Sequence, residues 1–223
     1  MFSLADLRAL SNSPGPVLTW YEPAGRAEFL GPQMAQWIAK TANYLGEISG
    51  EDDAWQLVFH LPASWRSLVW WVAANLCGFD STSLGGQQLS DRDIAEVVGA
   101  ADLLVSCDPQ LLATAATDYP ATVVLAQAMG PLALSWPGEL PAGADDAIAE
   151  VSAQPDALVT SMAQSAGEPP AAGSMHPAAA VLVDPRQAQW QEVCLQAWRQ
   201  GHRAVWVDPS MDLEAICSQE GIS

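Results

Sequence analysis

The clearest pattern of apolar and polar residues lies between Leu30 and Phe79, where it predicts a helix, a strand and a second helix. From Pro32 to Leu45 the apolar residues recur with the spacing of one helix face, and proline is well tolerated in a first helical turn. Residues 56–61 then form a nearly continuous apolar run, which is typical of a buried strand.

The second helix of this stretch is bounded by clear local signals. Pro62 ends the strand, and Ser64 can cap the helix, in which apolar residues recur at intervals of three and four up to Cys77. Gly78 follows as a residue suited to the left-handed conformation after a helix. We therefore expect a helix from Trp65 to Cys77.

The same reasoning predicts short elements on both sides of this stretch. The N-terminal part should contain a β-hairpin turning near Gly25, and residues 81–88 should form a polar loop. Helices are expected over 4–10, 91–98, 110–116, 145–151, 185–200 and 211–219, and strands over 17–22, 26–30, 101–107, 122–126, 132–136, 180–184 and 204–208. The last four elements, from residue 180 on, form a βαβα module whose crossover should be right-handed.

Alternating strands and helices predict the fold class, an α/β protein with one mostly parallel sheet flanked by helices. We expect a single domain with a first α/β half (1–128), a proline-rich excursion (129–177) and a closing βαβα unit (178–223). The hairpin is interpreted as a small attachment to this sheet.

Composition limits the classes of partner. The chain has 26 acidic and 8 basic residues, a formal net charge of −18, and half of its residues are hydrophobic. Such a charge opposes binding to nucleic acid or to an anionic membrane surface. No apolar run approaches the ~20 residues that span a bilayer, and Asp6 and Arg8 interrupt the start of the chain, which lacks a signal-peptide pattern. We expect a cytoplasmic protein with four reduced, mostly buried cysteines and no metal site.

Two aspartates are candidate ligand-binding residues. Asp108 and Asp208 each follow a predicted buried strand and precede a proline. The carboxyl ends of parallel strands form the usual ligand crevice of an open sheet, so both carboxylates could line such a site. An Asp-Pro pair also starts turns and caps helices, and this second interpretation stays open.

Other chemistry-bearing residues favour structural interpretations. His60 ends a buried strand and is interpreted as a satisfied core histidine, whereas His176 lies in the proline-rich loop and His202 follows a predicted helix end, where positive charge is favourable. Trp70 and Trp71 are adjacent on a helix, so they cannot both face the core; the outer ring could mark a protein interface. No catalytic triad, phosphate-binding glycine motif or dinucleotide fingerprint is present, and no catalytic residue is assigned.

The order of motifs resembles the N-terminal part of the adenylate-forming (AMP-binding, acyl-CoA ligase-like) superfamily. The matching segments are Leu-Thr-Trp at 18–20, the helix over 34–45, the strand and turn Leu-Val-Phe-His-Leu-Pro at 57–62, the helix over 69–78 and Ala-Asp-Leu-Leu-Val at 101–105. Near the end, 201–207 and 212–216 match a further strand and helix. The plan is similar to that of short actinobacterial proteins with only this part of the superfamily.

The resemblance also shows which chemistry is missing. The superfamily binds ATP phosphates with a loop ending in Pro-Lys-Gly; the nearest segment here is 160–173, in which Ser161 and Gly167 are candidate ligand-binding residues. That segment has no lysine, and no lysine follows Lys40. The Tyr-Gly-x-Thr-Glu element and the lysine-bearing C-terminal domain are also not found, so we expect no adenylation and no bound cofactor.

These observations lead to two hypotheses. The first is a catalytically silent relative of adenylate-forming enzymes that acts as a binding or interaction module, with an unknown protein partner or by self-association. The alternative is a small-ligand binding domain for a nucleotide, CoA or acyl group at the carboxyl edge of the sheet. A wide cavity at that edge would favour the second hypothesis.

Overall fold

The computed structural model describes residues 2–23, 25–50, 55–130, 133–159 and 179–222. The backbone separates into two compact units. We call the described residues between Ile38 and Val159 the central unit, and residues 2–37 with 179–222 the terminal unit. Each unit is described by itself.

Helices and strands alternate along most of the chain. The helices are α1 Leu4–Ser11, α2 Gly31–Ser49, α3 Trp65–Cys77, α4 Asp91–Asp93, α5 Pro109–Asp118, α6 Ala147–Ala153, α7 Trp190–Arg199 and α8 Leu213–Glu220, and a π-helical turn over Ile94–Val98 continues α4. The strands are β1 Pro16–Glu22, β2 Gly25–Leu30, β3 Gln56–His60, β4 Asp80–Ser83, β5 Leu103–Ser106, β6 Val123–Ala126, β7 Asp145–Asp146, β8 Ala180–Val183 and β9 Arg203–Val207.

The central unit is built on a five-stranded parallel sheet in the order β4-β3-β5-β6-β7. Its buried strands contribute Val58, Leu104 and Val124 to a core that α5 completes with Leu111 and Leu112. Continuous apolar strands are expected where helices cover both faces of a parallel sheet.

Helix α3 begins and ends where the sequence predicts. The Ser64 hydroxyl accepts a hydrogen bond from the backbone N–H of Ser67, and the Ser67 hydroxyl accepts one from the backbone N–H of Ser64, which completes a capping box. Gly78 has a left-handed backbone with φ of 80°, and its N–H donates to the carbonyls at the helix end. The predicted bounds of this helix are confirmed.

The terminal unit is built on a four-stranded sheet in the order β2-β1-β9-β8. Strands β1 and β2 form the predicted hairpin, whereas β1 with β9 and β9 with β8 are parallel pairs. On one face, Tyr21, Val205 and Val207 pack with Ile216 of α8. The hairpin and the C-terminal βαβα segment therefore share one sheet.

The α/β fold class with parallel strands flanked by helices is confirmed, but the expectation of one sheet is wrong. The described residues form two sheets, because β1 pairs with β9 near the other end of the chain. The hairpin is consequently part of the terminal sheet and not an attachment to the central one. The assignment of a single domain in three parts stays a prediction.

Three local expectations are also wrong. Residues 80–83 form the edge strand β4, which overlaps the segment 81–88 predicted as a polar loop, since an edge strand needs no apolar pattern. Residues 133–136, the described part of a predicted strand, are irregular. Helix α7 begins at Trp190 and not at Pro185, because residues 184–189 form turns.

Two further observations concern the membrane and the thiols. No helix in the described ranges is long and apolar enough to cross a bilayer. All four cysteines are free; Cys77 and Cys194 are buried, and Cys107 and Cys217 are half-buried.

Candidate functional site

A cavity of about 340 Å³ lies at the carboxyl ends of β8 and β9 in the terminal unit. Its apolar lining comes from Leu182, Val207, Met211 and Leu213, and its polar lining from Asp184, Arg186, Gln187 and Asp208. We call it the β8–β9 cavity. Ligands of open parallel sheets bind at such strand ends, and the volume lies within the range of small-molecule sites.

Asp184 is held by the turn that follows β8. Its carboxylate accepts a hydrogen bond from the backbone N–H of Arg186 (3.0 Å) and two from the guanidinium, at 2.8 Å from Nε and 2.9 Å from Nη2. The side-chain hydrogen bond from Arg186 holds the pKa of Asp184 below its ordinary value. The pair is bidentate, so within the cavity the charge of Asp184 is matched by that of Arg186.

Asp208 occupies the corresponding position after β9. Its backbone N–H donates to the carbonyl of Tyr21 (2.9 Å), which continues the pairing of β9 with β1. Its Oδ1 accepts from the backbone N–H of Ser210 at 2.9 Å and from the Ser210 hydroxyl at 2.6 Å. Across the described chain, no Arg or Lys forms an ion pair with this carboxylate. One negative charge at the cavity is therefore unmatched.

The other predicted aspartate serves a helix. Asp108 is the N-cap of α5, and its Oδ1 accepts from the backbone N–H of Gln110 (2.8 Å) and of Leu111 (3.4 Å). It lies after β5 in the central sheet, whereas Asp208 lies after β9 in the terminal sheet. The two candidates thus belong to different sheets, and the helix-cap interpretation of Asp108 is confirmed.

At the carboxyl edge of the central sheet, His60 makes internal polar contacts. His60 is 3% exposed; its Nε2 lies 2.7 Å from the carbonyl of Gln87, and its Nδ1 lies 3.0 Å from the hydroxyl of Ser106. Because a carbonyl only accepts, Nε2 carries the proton and Nδ1 accepts from Ser106. His60 is therefore the satisfied core histidine that its strand position predicts.

Arg66 is a buried cation that sequence reasoning missed. It is 6% exposed, stacks on Trp65 with its guanidinium carbon 4.3 Å from the ring centroid, and donates to the carbonyl of Ala133 (2.9 Å). Burial lowers its pKa to about 10. The burial of Arg66 could not be predicted from its position in the first turn of an apolar helix, because arginine usually lies at the protein surface.

Lys40, the one lysine of the sequence, is engaged in structure. Its ammonium donates to the carbonyl of Ser152 (3.1 Å) and to that of Gln154, and pairs with Asp156 at 2.9 Å. These carbonyls end α6, where a cation is favoured by the helix dipole. Lys40 therefore stabilises a helix end within the central unit.

The remaining candidates differ in how far the structure describes them. Ser161, Gly167 and His176 lie outside the described residues, as does the whole of the segment 160–173. Trp70 is buried and donates from Nε1 to the side-chain oxygen of Gln127 at 2.9 Å, whereas Trp71 is half-buried. The core interpretation is thus confirmed for the first ring of that pair.

Comparisons with known proteins identify the fold. No family model matches the chain, and no curated protein matches its sequence. Among solved structures, it is similar to an acyl-CoA synthetase from Brucella canis, with a TM-score of 0.68 and 14% identity over 98% of this chain. It is also similar to acetoacetyl-CoA synthetase from Streptomyces lividans, with a TM-score of 0.67 and 13% identity over 91% of this chain. A third similar structure is an amide bond synthetase from Marinactinospora thermotolerans, with a TM-score of 0.58 and 16% identity over 96% of this chain.

The chain has the α/β fold found in adenylate-forming enzymes, and the resemblance predicted from the sequence is confirmed for the fold. It spans 46%, 38% and 45% of the three chains named, less than half of each. At such low identity the similarity concerns the fold alone. What the chain does must therefore be argued from its own residues.

Proposed function

We propose that this chain is a catalytically silent binding module that holds a small molecule in the β8–β9 cavity. The observation that carries the proposal is the cavity itself, with a volume of about 340 Å³ between two strand ends and both apolar and charged lining. Small-molecule sites combine an apolar wall with a few placed polar groups in this way.

The contacts of Lys40 and of the arginine at the cavity support the catalytically silent part of the proposal. Adenylation needs positive charge opposite the phosphate in its transition state. The only lysine, Lys40, is bound to carbonyls and to Asp156, and Arg186, which lines the cavity, is bound to Asp184. A group already held in an ion pair is poorly placed to stabilise a developing phosphate charge.

The binding part is tested by thermal unfolding with small molecules. The set comprises ATP, AMP, CoA and acyl-CoAs, extended with neutral and cationic compounds of similar size. A ligand that binds only the folded protein, at 100 times its Kd, adds about 2.7 kcal/mol to the free energy of unfolding, which raises Tm by several degrees. We expect at least one compound to do so.

Two leucines provide matched variants for this experiment. Leu213 lines the cavity and is 43% exposed, whereas Leu30 lies away from the cavity lining in the same unit and is 44% exposed. Leu213→Trp should abolish the shift, and Leu30→Trp should keep it. Equal shifts in both variants, or no shift with any compound, would contradict binding in the cavity.

The expected lack of adenylation activity is tested by a separate assay. Purified protein is incubated with ATP, Mg²⁺ and a range of carboxylates, and pyrophosphate release is measured. We expect no release above that of a heat-denatured sample. ATP-dependent turnover of any carboxylate would overturn the assignment as a silent module.

A second candidate function, self-association, is favoured by one surface residue. Leu134 is 87% exposed on a loop that Arg66 holds through the carbonyl of Ala133 and Asp146 holds through the backbone N–H of Trp136. The backbone on both sides of Leu134 is held, so a second copy of the chain could pack against this exposed side chain. Sedimentation at increasing concentration should then show an oligomer that Leu134→Asp disperses; a monomer at all concentrations would exclude it.

A further inference from the structure

We infer that the β8–β9 cavity selects a small organic cation with an apolar body, and that Asp208 binds its ammonium group. The inference rests on the proposed function, because it names the ligand class of the same cavity. It departs from the nucleotide and CoA ligands of the alternative hypothesis, both of which are anions.

The first argument is the balance of charge around the cavity. Arg186 forms a bidentate pair with Asp184, and these two charges offset each other. Asp208 has no cationic partner in the described chain, so the lining carries one net negative charge. A phosphate or carboxylate placed there would face an unmatched carboxylate as it lost water, which is unfavourable. A cation would supply the missing charge.

The second argument is that the Asp208 carboxylate is fixed before any ligand binds. Ser210 donates to Oδ1 from both its backbone and its hydroxyl, at 2.9 and 2.6 Å. No hydrogen bond to Oδ2 is found in the described residues. An ionised carboxylate can only accept, so this oxygen is available to a donor on a ligand, and an ammonium group gives a charge-assisted bond.

The third argument is the apolar part of the lining. Leu182, Val207, Met211 and Leu213 lie beside the charged residues, so a ligand that fills the cavity must present hydrocarbon as well as charge. Met211 can adapt its side chain to the shape of an apolar group. Simple ammonium or metal ions would leave this surface in contact with water.

The overall charge of the chain works in the same direction. A formal net charge of −18 produces a negative potential that concentrates cations near the surface and repels anions. This contribution is screened by salt, whereas the direct contact with Asp208 is screened less. Binding should therefore weaken with ionic strength and still depend on Asp208 at high salt.

The test compares three probes that share one apolar body and differ in charge. Phenethylamine is a cation, phenethyl alcohol is neutral and phenylacetate is an anion. Binding of each to the full chain is measured by titration calorimetry and by amide chemical-shift changes near Asp208 and Leu213. We expect phenethylamine to bind at least about tenfold more tightly than the alcohol, the gain typical of a hydrogen bond to a charged group, and phenylacetate not to bind.

Two variants separate the contact from the general charge. Asp208→Asn keeps an acceptor for Ser210 but removes the charge, and should lower the affinity for phenethylamine at least about tenfold. Asp118→Asn removes the same charge from an exposed position in the central unit and should leave the affinity within about twofold. Circular dichroism confirms that both variants are folded.

The outcomes distinguish this inference from the proposed function. Binding of phenethylamine that depends on Asp208 and is lost in Leu213→Trp supports both. Tighter binding of phenylacetate or a nucleotide, also lost in Leu213→Trp, would overturn the cation inference and leave the cavity as a binding site. Failure of phenethylamine to bind at millimolar concentration overturns the inference, and failure of every compound overturns both.

Discussion

Trp20 and Trp206 stack face to face on the parallel strands β1 and β9, with ring centroids 3.6 Å apart and planes within 7° of each other. Both rings are 4% exposed. Two indoles in such contact couple their electronic transitions, so we predict a paired positive and negative band in the far-ultraviolet circular dichroism. Trp206→Phe should remove this pair of bands and lower the free energy of unfolding by about 1–2 kcal/mol, through lost apolar area and ring stacking.

The replacement is mild because Nε1 of Trp206 has no hydrogen-bond partner to lose among the described residues. Trp71→Phe, in the central unit, serves as the control and should leave the paired bands unchanged. Bands that persist in Trp206→Phe, or vanish in Trp71→Phe, would show that another pair of rings is responsible.

A second prediction concerns Glu220, whose side chain is 6% exposed at the end of α8. Its carboxylate accepts hydrogen bonds from the Tyr21 hydroxyl and from the Arg203 guanidinium. Nη2 of Arg26 lies 3.3 Å from the same carboxylate. Both arginines also form ion pairs with Glu28. Burial alone would raise its pKa, but the hydrogen bond from Tyr21 and the charges of Arg203 and Arg26 outweigh burial, so the pKa lies below the ordinary 4.5.

The stabilisation from Glu220 is therefore complete above pH 4.5 and is lost as the pH falls through the lower pKa of the folded state. Near neutral pH, Glu220→Gln should lower the free energy of unfolding by about 2 kcal/mol, less than for a fully buried pair because Arg26 is 37% exposed. Urea denaturation at several pH values checks this.

The two proteins should become similarly stable well below pH 4.5, because the wild-type carboxylate is then protonated. Glu139→Gln, at an exposed loop position, should follow the wild type at every pH. A constant difference between wild type and Glu220→Gln down to the lowest pH would mean that charge is not the source of the stabilisation.

Local signals explain which parts of the fold the sequence predicts. The bounds of α3 depend on Ser64 and Gly78, which act on neighbouring backbone groups and can be identified within a few residues. The division into two sheets depends on pairing of residues 18–21 with 204–207, and no local pattern encodes a strand's partner. Strand β4, Asp80–Ser83, is polar because it lies at an edge, so it lacks the pattern of a buried strand.

The candidate site could also be predicted from the sequence only in part. The apolar strand before it marks Asp208 as a candidate, whereas a helix predicted to begin at Pro185 assigns no binding role to Asp184 or Arg186. The Asp-Pro-Arg sequence was the available signal, since aspartate forms a turn by accepting from the backbone N–H two residues later. That the two strand ends share one cavity follows from the pairing of β8 with β9.

A third prediction concerns the reactivity of Lys40, whose side chain is 12% exposed and bound to two carbonyls and Asp156. Amine-reactive reagents should modify this residue slowly in the folded protein and much faster in urea, because the free amine must first leave its acceptors. Peptide mass spectrometry at successive times measures the rate. Similar rates in both conditions would contradict the helix-end contacts.

The same contacts give a stability prediction. Lys40→Met should lower the free energy of unfolding by about 1–2 kcal/mol, because the carbonyls of Ser152 and Gln154 lose a charged donor. It should leave ligand binding at the β8–β9 cavity unchanged, since that cavity belongs to the terminal unit. Loss of ligand binding in this variant with its fold intact would assign Lys40 a role that its contacts do not explain.

The last prediction concerns Gly31, the first residue of α2, where the end of α1 and the following loop approach closely. A β-carbon at this position would lie 2.2 Å from the carbonyl oxygen of Leu10 and 2.6 Å from the β-carbon of Ser13. Neither atom belongs to a flexible side-chain end, so the backbone itself must shift. Gly31→Ala should therefore lower the free energy of unfolding by about 2–3 kcal/mol, measured by urea denaturation.

Gly15 provides the control in the same unit. A β-carbon there meets nothing within 4 Å, and Gly15→Ala should change the free energy of unfolding by no more than about 0.5 kcal/mol. Because the two variants add the same methyl group to the chain, the difference between them measures the crowding at the start of α2. Equal costs would mean that α1 and α2 do not approach as closely as the structure places them.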